Sequence, residues 1–516
     1  MNSNIRRFFL ASMVGSAAAL MVLGGAQAAD LPVKAKPVDY VKVCSLYGPG
    51  FYYIPGTETC IKLGNYLRFW SELNNNSVGI NPDFGAGGAS NRFSNGYTAR
   101  ARQNLSIDTR TATEYGLVRT YFEGVFQWTT GSNSGLGNGS TVYQSLGGVS
   151  APNNANPGAV AGGTVGVWYA FVQFAGFTIG KAMSQFSAPW GDYPGNYTEL
   201  PGSSAWDQVN QFTYTADFGQ GITASFSAQD QVQHDTTNIW NVSAATPAGL
   251  ATGTYGGNDI AGTVAPDLVA MLRVDQAWGL FQASVAAHDN HAAYYGATEL
   301  TGHPDDKWGW AGQLALSVKN IPTGPGDSIN VTGVYAHGAS RYTFNDYMPT
   351  VFARYSGTSL AGAYQSVGLA GLSDSVFVTG SGQQLTTTYG LNGAFNHNWN
   401  AYWHSSIFGG IGAVRYNSTA KGYICGAFVT GLALSSGIAG CNPDFNYAVV
   451  GANTSWTPVK NLSFGVELDY SMIDQKFANG STVALPLQSG NGKPAAVYEL
   501  KNQSSFGLQF IAQRNF

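Results

Sequence analysis

The chain has 516 residues, of which only 10% are charged, 44% are hydrophobic and 13% are aromatic. So little charge is unusual for a soluble domain, and so many aromatic residues exclude an intrinsically disordered chain. A helical membrane protein needs several apolar runs of about twenty residues, but the sequence has one such run, at its beginning. The net charge of -4 gives no reason to expect nucleic acid as a partner. Together with 67 glycines, this composition favours a β-barrel whose outer wall meets lipid.

The single long apolar run spans residues 8–25, follows Arg6 and Arg7, and precedes an A-x-A sequence at residues 26–28. A basic start, an apolar centre and an A-x-A end predict a secretory signal peptide over residues 1–28. The paired arginines also fit a twin-arginine signal, but that pathway carries folded cargo and suits a lipid-embedded barrel poorly. We therefore expect ordinary secretion and a mature chain that begins near Ala29. Residues 29–60 would form an amino-terminal periplasmic segment.

Residues 504–516 show the strand pattern most clearly. They alternate between a largely apolar set, which includes Phe506, Phe510 and Phe516, and a largely polar set with Gln509 and Gln513. This period of two is typical of a half-buried strand. Free chain ends normally fray, so a regular terminal strand is best explained if it pairs with the first strand and closes a barrel. Residues 61–73 alternate in the same way and supply that first strand.

Between these two strands the sequence predicts seven hairpins with short turns, which brings the total to sixteen strands. Short turns alternate with long connections rich in Gly, Asn, Ser and Thr, which we interpret as structureless loops. This alternation is the layout of outer-membrane barrels, with short periplasmic turns and long extracellular loops, and soluble sandwiches lack it. The prediction is an all-β, 16-stranded antiparallel transmembrane β-barrel over residues 61–516. The long connections are residues 74–96, 130–164, 184–205, 232–265, 289–306, 338–388, 416–444 and 474–503.

The two faces of the predicted strands differ in charge. In residues 462–473 an apolar set alternates with a polar set that contains Glu467 and Asp469, and residues 98–108 carry Arg100, Arg102 and Asp108 on one face. A charge on the lipid face costs roughly 2–4 kcal/mol at mid-bilayer. We therefore expect the charged face to line a water-filled lumen, whereas a soluble barrel would have an apolar interior. This contrast predicts a channel.

The four cysteines form two pairs that are local in sequence. Cys44 and Cys60 precede the first strand, and Cys425 and Cys441 share a late long connection. Export permits disulfides, and pairing within each set closes two short loops at opposite ends of the barrel. The other pairings would have to bridge the membrane, so Cys44–Cys60 and Cys425–Cys441 are predicted. Metal binding is the alternative, but neither pair has another Cys or His at ligand spacing.

Two segments resemble a known family. Residues 40–44 read YVKVC, residues 47–60 read YGPGFYYIPGTETC, and the chain ends with FIAQRNF. These are similar to the opening and the closing strand of the general porins of alphaproteobacterial outer membranes, the Brucella and Rhizobiales type. The chain departs from that family in its longer loops, notably residues 338–388, and in its second cysteine pair.

The resemblance implies a trimeric, water-filled pore for small hydrophilic solutes, narrowed by a third long loop that folds inward. It also implies that Phe516, with Phe510 in the same strand, is a signal for the outer-membrane assembly machinery. Outer-membrane lipid and lipopolysaccharide would surround the barrel, and no cofactor is expected.

The residues expected to narrow the pore come from opposite sides of the lumen. Asp192 and Glu199 lie in the third long connection, and basic residues occupy inward positions of the early strands. Facing rows of opposite charge would create a transverse field that selects solutes. The alternative is that the arginines only pair with Glu72, Asp108 or Glu123 and brace the wall, or that the acids are ordinary loop residues. The basic candidates are Arg68, Arg100, Arg102 and Arg119.

Particular residues are compatible with other functions. His288, His291 and His303 cluster, and His234 adjoins Asp235, which permits a metal site, although solvated loop histidines are the common case. An outer-membrane hydrolase would need a Ser–His pair on the barrel's outside. His397, His404, Ser405 and Ser406 lie at the periplasmic end instead, without a nucleophile elbow. A solute-specific channel would share the same barrel and differ in its loops, and an adhesin or a purely structural barrel would not need a charged lumen.

Overall fold

The computed structural model describes residues 42–74, 97–129, 159–160, 163–191, 193–204, 208–231, 236–345, 348, 350–488 and 492–516. The predicted signal peptide, residues 29–41 of the amino-terminal segment, Asp192 and His234 lie outside the described residues. The barrel belongs to the unit Val43–Phe516. Within the described ranges, no helix combines the length and the apolar character needed to cross a membrane.

Sixteen antiparallel strands, each hydrogen-bonded to the next, form a closed barrel, which confirms the predicted fold. The prediction of the strands succeeds because a barrel wall between lipid and water imposes alternation on each strand separately. In chain order they are β1 (Cys60–Asn74), β2 (Tyr97–Thr113), β3 (Gly116–Thr129), β4 (Gly163–Phe174), β5 (Phe177–Met183), β6 (Gln208–Asp217), β7 (Ile222–Gln229), β8 (Asp267–Gln276), β9 (Gly279–Asn290), β10 (Lys307–Lys319), β11 (Ser328–His337), β12 (Thr387–Asn398), β13 (Trp403–Arg415), β14 (Phe445–Val459), β15 (Leu462–Gln475) and β16 (Gln503–Asn515).

Strands β1 and β16 close the barrel. Tyr66 lies opposite Asn515, and the pairing continues to Asn74 opposite Gly507. The Phe516 N–H donates to the Asn65 carbonyl at 3.0 Å, and the Asn65 N–H donates to the Phe516 carbonyl at 3.3 Å. The terminal residue is therefore held by backbone hydrogen bonds on β1, and the closed sheet has no edge strand within the described barrel.

The outer wall of the barrel is apolar. In β1, Leu63, Leu67 and Phe69 are exposed, whereas Tyr66 and Trp70, which point to the other face, are buried. Regularly exposed apolar side chains are favourable where the wall meets lipid, and aromatic girdles mark the two edges of such a wall. At the short-turn end the girdle includes Trp403, Trp456 and Phe464, and towards the long-loop end it includes Trp310, Tyr335, Tyr470 and Phe506.

Short turns and long loops alternate as predicted. The hairpin between β4 and β5 shows how tight the turns are: Ala175 and Gly176 both have positive φ, 49° and 85°, as a two-residue type I′ turn requires. A Cβ on Gly176 would lie 2.9 Å from the Thr215 carbonyl oxygen on β6. Glycine is therefore needed there for space as well as for conformation.

The long loops contain regular structure, so the interpretation of them as structureless is wrong. Their described residues form two α-helices, α1 (Pro247–Leu250) and α2 (Ser418–Leu432), three short 3-10 helices and two four-stranded sheets. Residues 366–378, SVGLAGLSDSVFV, are rich in apolar residues, and burying them in sheets offsets the entropy of ordering the loop. One sheet consists of Val351–Ser356, Gln365–Gly371, Ala496–Leu500 and Thr482–Leu485, and the other of Gly257–Asn258, Asn238–Asn241, Ser373–Phe377 and Gln384–Leu385.

We call these folded loops the loop layer, and they share one hydrophobic core with the barrel. Trp240, Phe352 and Phe428 come from three different loops and are fully buried. The same cluster contains Phe445 and Tyr447, which point inward from β14. Burial of a large apolar side chain stabilises by about 1.5–3 kcal/mol relative to exposure. This shared burial therefore holds the loop layer in the mouth of the barrel.

Both predicted disulfides are formed. Cys44–Cys60 ties the amino-terminal segment to the first residue of β1, and the two cysteines pack with Phe51. Cys425–Cys441 ties α2 to the end of its own loop. The first pair lies at the short-turn end and the second in the loop layer, at opposite ends of the barrel as expected.

Candidate pore constriction

The third long loop, hereafter L3, is described over residues 184–191 and 193–204, and these fold into the lumen along the inner wall. Near its start, the Gln282 side-chain amide on β9 donates to the backbone carbonyls of Phe186 and Ser187, both at 3.1 Å. Gln313 on β10 donates to the same Phe186 carbonyl at 2.6 Å. Inward-pointing amides thus replace water for a loop whose backbone carbonyls would otherwise be buried unpaired.

Asparagines on the next strands continue this attachment. Asn330 on β11 and Asn396 on β12 donate to the Pro194 carbonyl at 2.7 and 3.0 Å. Asn453 on β14 donates to the Gly195 carbonyl at 2.7 Å. L3 therefore follows the wall around the lumen from β9 to β14.

A buried carboxylate on β15 holds the tip of L3. Glu467 accepts hydrogen bonds from the backbone N–H groups of Tyr197 and Thr198, at 2.7 and 2.8 Å. A third donor, the Asn453 side-chain amide, lies 2.8 Å from the same carboxylate. Glu467 is fully buried. Three hydrogen bonds therefore meet at this one carboxyl group, and two of them come from the backbone of L3, so Glu467 is a firm attachment for the tip of the loop.

The sixth long loop, residues 338–386 and hereafter L6, covers the return path of L3. The Gly202 N–H donates to the Thr343 carbonyl of L6 at 2.8 Å. Phe344 of L6 is fully buried in the lumen, and a Cβ on Gly412 of β13 would lie 2.5 Å from its ring. L3 is therefore clasped between the barrel wall and L6. The family resemblance implied one inward loop; within the described part of the chain, L6 also lies inside the lumen.

Three of the predicted arginines lie together on the wall that β1 and β2 form. Arg68 on β1 is the direct cross-strand partner of Arg102 on β2, and Arg100 is two residues further along the same face. The Arg68 Nε donates to Gln513 at 2.7 Å, and the Arg102 Nε donates to Gln127 at 2.9 Å. All three arginines are half-buried and point into the lumen.

Arg119 lies elsewhere in the lumen. It is the cross-strand partner of Arg110, which is eight residues, or about 26 Å of strand, from Arg102 towards the short-turn end. Its Nε and Nη2 each lie 3.1 Å from an oxygen of Asp108, and its Nη1 donates to Gln173 at 3.0 Å. These contacts are those of the wall-bracing alternative.

Glu199 brings an acidic group of L3 to the arginines. It is almost completely buried and accepts a hydrogen bond from the Tyr193 hydroxyl at 3.3 Å. Burial raises the pKa of the Glu199 carboxyl to about 7, and the charge of Arg100 opposes that rise. Glu199 therefore lies within electrostatic reach of Arg100.

The sequence did not identify the residues that hold L3, namely Gln282, Gln313, Asn330, Asn396, Asn453 and Glu467. Each occupies an inward strand position, and the alternation signals only that the residue faces the lumen. Amide side chains at several consecutive inward positions of β9–β14 would have been the available clue.

The residues of the metal and hydrolase hypotheses form hydrogen bonds within the barrel. His288 Nδ1 lies 2.8 Å from Asp267, and His397 Nδ1 lies 2.7 Å from Asp327. The Ser405 hydroxyl accepts a hydrogen bond from Trp399 at 3.0 Å. Among the described residues, no group of three or more His, Cys, Asp or Glu side chains is arranged to hold a metal ion.

A closed sixteen-stranded barrel with an apolar outer wall, a charged lumen and inward loops defines an outer-membrane channel protein. Residues 30–508 match the family described as a porin subfamily, and the chain belongs to that family. It is therefore a porin of a Gram-negative outer membrane.

Relatives agree with this assignment and confirm the resemblance. Porin Omp2a of Brucella ovis is 31% identical over 312 residues, which cover 59% of this chain and 83% of the relative. Porin Omp2b of Brucella abortus (strain 2308) is 29% identical over 316 residues, covering 59% and 78%. The outer-membrane channel DcaP of Acinetobacter baumannii has the same fold, with a TM-score of 0.55 and 15% identity over 90% of this chain and 99% of that one.

Proposed function

We propose that this porin lets ions and small hydrophilic solutes diffuse passively through a constriction between L3 and the arginines of β1 and β2. The observation that carries the proposal is the fixed position of L3. It is hydrogen-bonded to the wall from β9 to β15, and Glu199 lies within electrostatic reach of Arg100. A loop held in this way keeps the pore narrow on one side and leaves the basic wall facing water.

The two sides of this constriction carry opposite charge. Arg68, Arg100 and Arg102 form the basic side, and Glu199, with Asp192 from the same loop, forms the acidic side. Opposed charges across a narrow aqueous gap create a transverse field, which orders water dipoles and disfavours apolar solutes. Selection then depends on the width and the field of the gap, and the porin performs no bond chemistry.

The proposal extends to processing and assembly. Residues 1–28 direct export, residues 29–60 form the periplasmic segment, and residues 61–516 form the barrel. Three copies assemble in a membrane of lipid and lipopolysaccharide, and the assembly machinery reads the last strand through Phe510 and Phe516. Both side chains are exposed on the outer face, where the assembly machinery can contact them.

Planar-bilayer recording tests the pore. Purified, refolded protein should give ohmic current steps, with folding verified by heat-modifiable gel mobility. The variant Arg100→Ala with Arg102→Ala removes two positive charges from the basic side. Its reversal potential in a salt gradient should therefore shift towards cation preference.

The matched control is Arg514→Ala, which removes an exposed arginine at the short-turn end of β16, outside the lumen. It should leave the reversal potential unchanged. Folded protein without conductance would refute the porin function, and an unshifted reversal potential in the double variant would refute this position of the constriction.

A further inference from the structure

Two pairs of arginines in the lumen have the same geometry but different surroundings. Arg110 and Arg119 are direct cross-strand partners on β2 and β3, and Arg68 and Arg102 are direct partners on β1 and β2. Directly opposed residues of an antiparallel pair have Cα atoms about 4.5–5.5 Å apart, and like charges in that position repel. Without a nearby anion, this repulsion therefore destabilises each pair.

The first pair contains its anion. The two oxygens of Asp108 lie 3.3 and 3.0 Å from Nε and Nη2 of Arg110, and both 3.1 Å from the same atoms of Arg119. One carboxylate thus receives both guanidinium groups side-on. This is the bidentate geometry in which arginine binds carboxylates most strongly.

The second pair, which we call the paired-arginine site, is held by neutral groups. Arg68 Nε donates to Gln513, and Arg102 Nε donates to Gln127. Among the described residues, no carboxylate forms an ion pair with Arg68 or Arg102, whereas Asp108 pairs with both Arg110 and Arg119. Glutamine fixes the orientation of each guanidinium without neutralising its charge.

Aromatic rings hold the same two guanidinium groups from the other side. The Arg68 guanidinium carbon lies 4.6 Å from the Tyr66 ring centroid, and that of Arg102 lies 4.8 Å from the Trp168 ring centroid. Trp168 reaches this position because the register of β3 and β4 shifts between Glu123 and Gly124, which leaves Trp168 as the extra residue of a β-bulge. Bulges commonly redirect a side chain towards a functional site.

We propose that the paired-arginine site is a binding site for the carboxylate of a permeating organic anion. The solute carboxylate takes the place that Asp108 has between Arg110 and Arg119, and it is bound by the terminal Nη groups of Arg68 and Arg102. The glutamines and rings preorganise those groups, so little side-chain entropy is lost on binding. The inference rests on the proposed function, because it needs solutes to pass along this wall.

A carboxylate site differs from a diffuse positive field in its need for the planar guanidinium fork. Lysine keeps the charge but presents a point-like ammonium without that fork. The variant Arg68→Lys with Arg102→Lys therefore preserves the field and removes the site. Chloride conductance measures the field, and saturable block by benzoate measures the site.

The experiment records single-channel current of the refolded porin in potassium chloride with increasing benzoate, and uses benzamide as an uncharged probe of similar shape. Benzoate should reduce the current saturably and benzamide should not. The double lysine variant should raise the half-blocking benzoate concentration about tenfold or more, since a bidentate contact is lost. Arg514→Lys, outside the lumen, should behave as the wild type.

Two results would overturn the carboxylate site: a conducting wild-type pore without saturable benzoate block, or equal half-blocking concentrations in wild type and the double lysine variant. A folded wild type without any conductance would instead refute the proposed porin function. Gln127→Leu with Gln513→Leu gives a second measurement, because it leaves both arginines in place. It should weaken benzoate block if the glutamines position the guanidinium groups, and unchanged block would contradict that positioning.

Discussion

Replacing Glu467 by alanine should release the tip of L3 from the barrel wall. The substitution removes the acceptor for the backbone N–H groups of Tyr197 and Thr198, at 2.7 and 2.8 Å. A hydrogen bond contributes about 0.5–1.5 kcal/mol net, and these two bonds are short and buried, so the upper value applies to each. The free energy of opening the tip should fall by about 3 kcal/mol, a rise of about a hundredfold in the open population.

Hydrogen exchange measures this opening directly. The amides of Tyr197 and Thr198 should exchange about a hundredfold faster in Glu467→Ala, since local opening controls their exposure. In bilayers the variant should show additional current fluctuations, because a released loop moves in the pore. Wild-type exchange at these two amides would refute the role assigned to Glu467.

The matched control is Glu123→Ala on β3. Glu123 is also a buried, inward carboxylate and accepts from the Asn104 amide at 2.8 Å and the Tyr121 hydroxyl at 2.7 Å. These partners belong to β2 and β3, so L3 exchange should stay at the wild-type rate in this variant. Faster exchange in both variants would show that loss of any buried carboxyl group in the lumen frees L3, and would refute the specific role of Glu467.

Further predictions concern L3, the loop layer and the last strand. Because the pKa of the Glu199 carboxyl is raised to about 7, it gains a proton as the pH falls from 8 to 6. L3 then loses negative charge and the reversal potential should shift towards anions; the same pH shift in Glu199→Gln would contradict this. Cys425→Ser with Cys441→Ser should destabilise the loop layer by about 3 kcal/mol, measured as faster trypsin cleavage there, and unchanged cleavage would refute it. Deleting Phe516 should reduce the amount of assembled porin but not the conductance of each pore; normal insertion in cells would remove its role as an assembly signal.

Much of the fold is determined locally. The alternation of residues 61–73 and 504–516 predicted which side chains face outward, and the structure confirms Leu67, Phe69 and Phe510 on the outer wall. A strand between lipid and water must satisfy each face independently, so the pattern can be interpreted strand by strand. Short turns and long loops alternate because successive antiparallel strands end on opposite sides of the membrane. The cysteine pairs were predictable because each lies on one side of the membrane.

The structure of the loops was not predictable in this way. Residues 366–378 form sheet strands only because other loops supply their partners, and the buried cluster of Trp240, Phe352 and Phe428 joins segments far apart in sequence. The long connections as a set are rich in Gly, Asn, Ser and Thr, and that composition suggested irregular loops. Burial between loops decides their conformation, and a single sequence does not show which loops meet.

One part of the constriction was predictable from the sequence, and the other part was not. The sequence by itself determined that Arg68, Arg100, Arg102 and Arg119 face the lumen, because each occupies an inward position of a period-2 strand. Only the tertiary structure decided their neighbours: Asp108 for Arg119, and neutral glutamines for Arg68 and Arg102. Strand register and the path of L3 set those contacts, and both depend on pairings between residues distant in the chain. The face to which a side chain points is set locally, whereas its depth in the pore and its hydrogen-bonding partners are set by the tertiary structure.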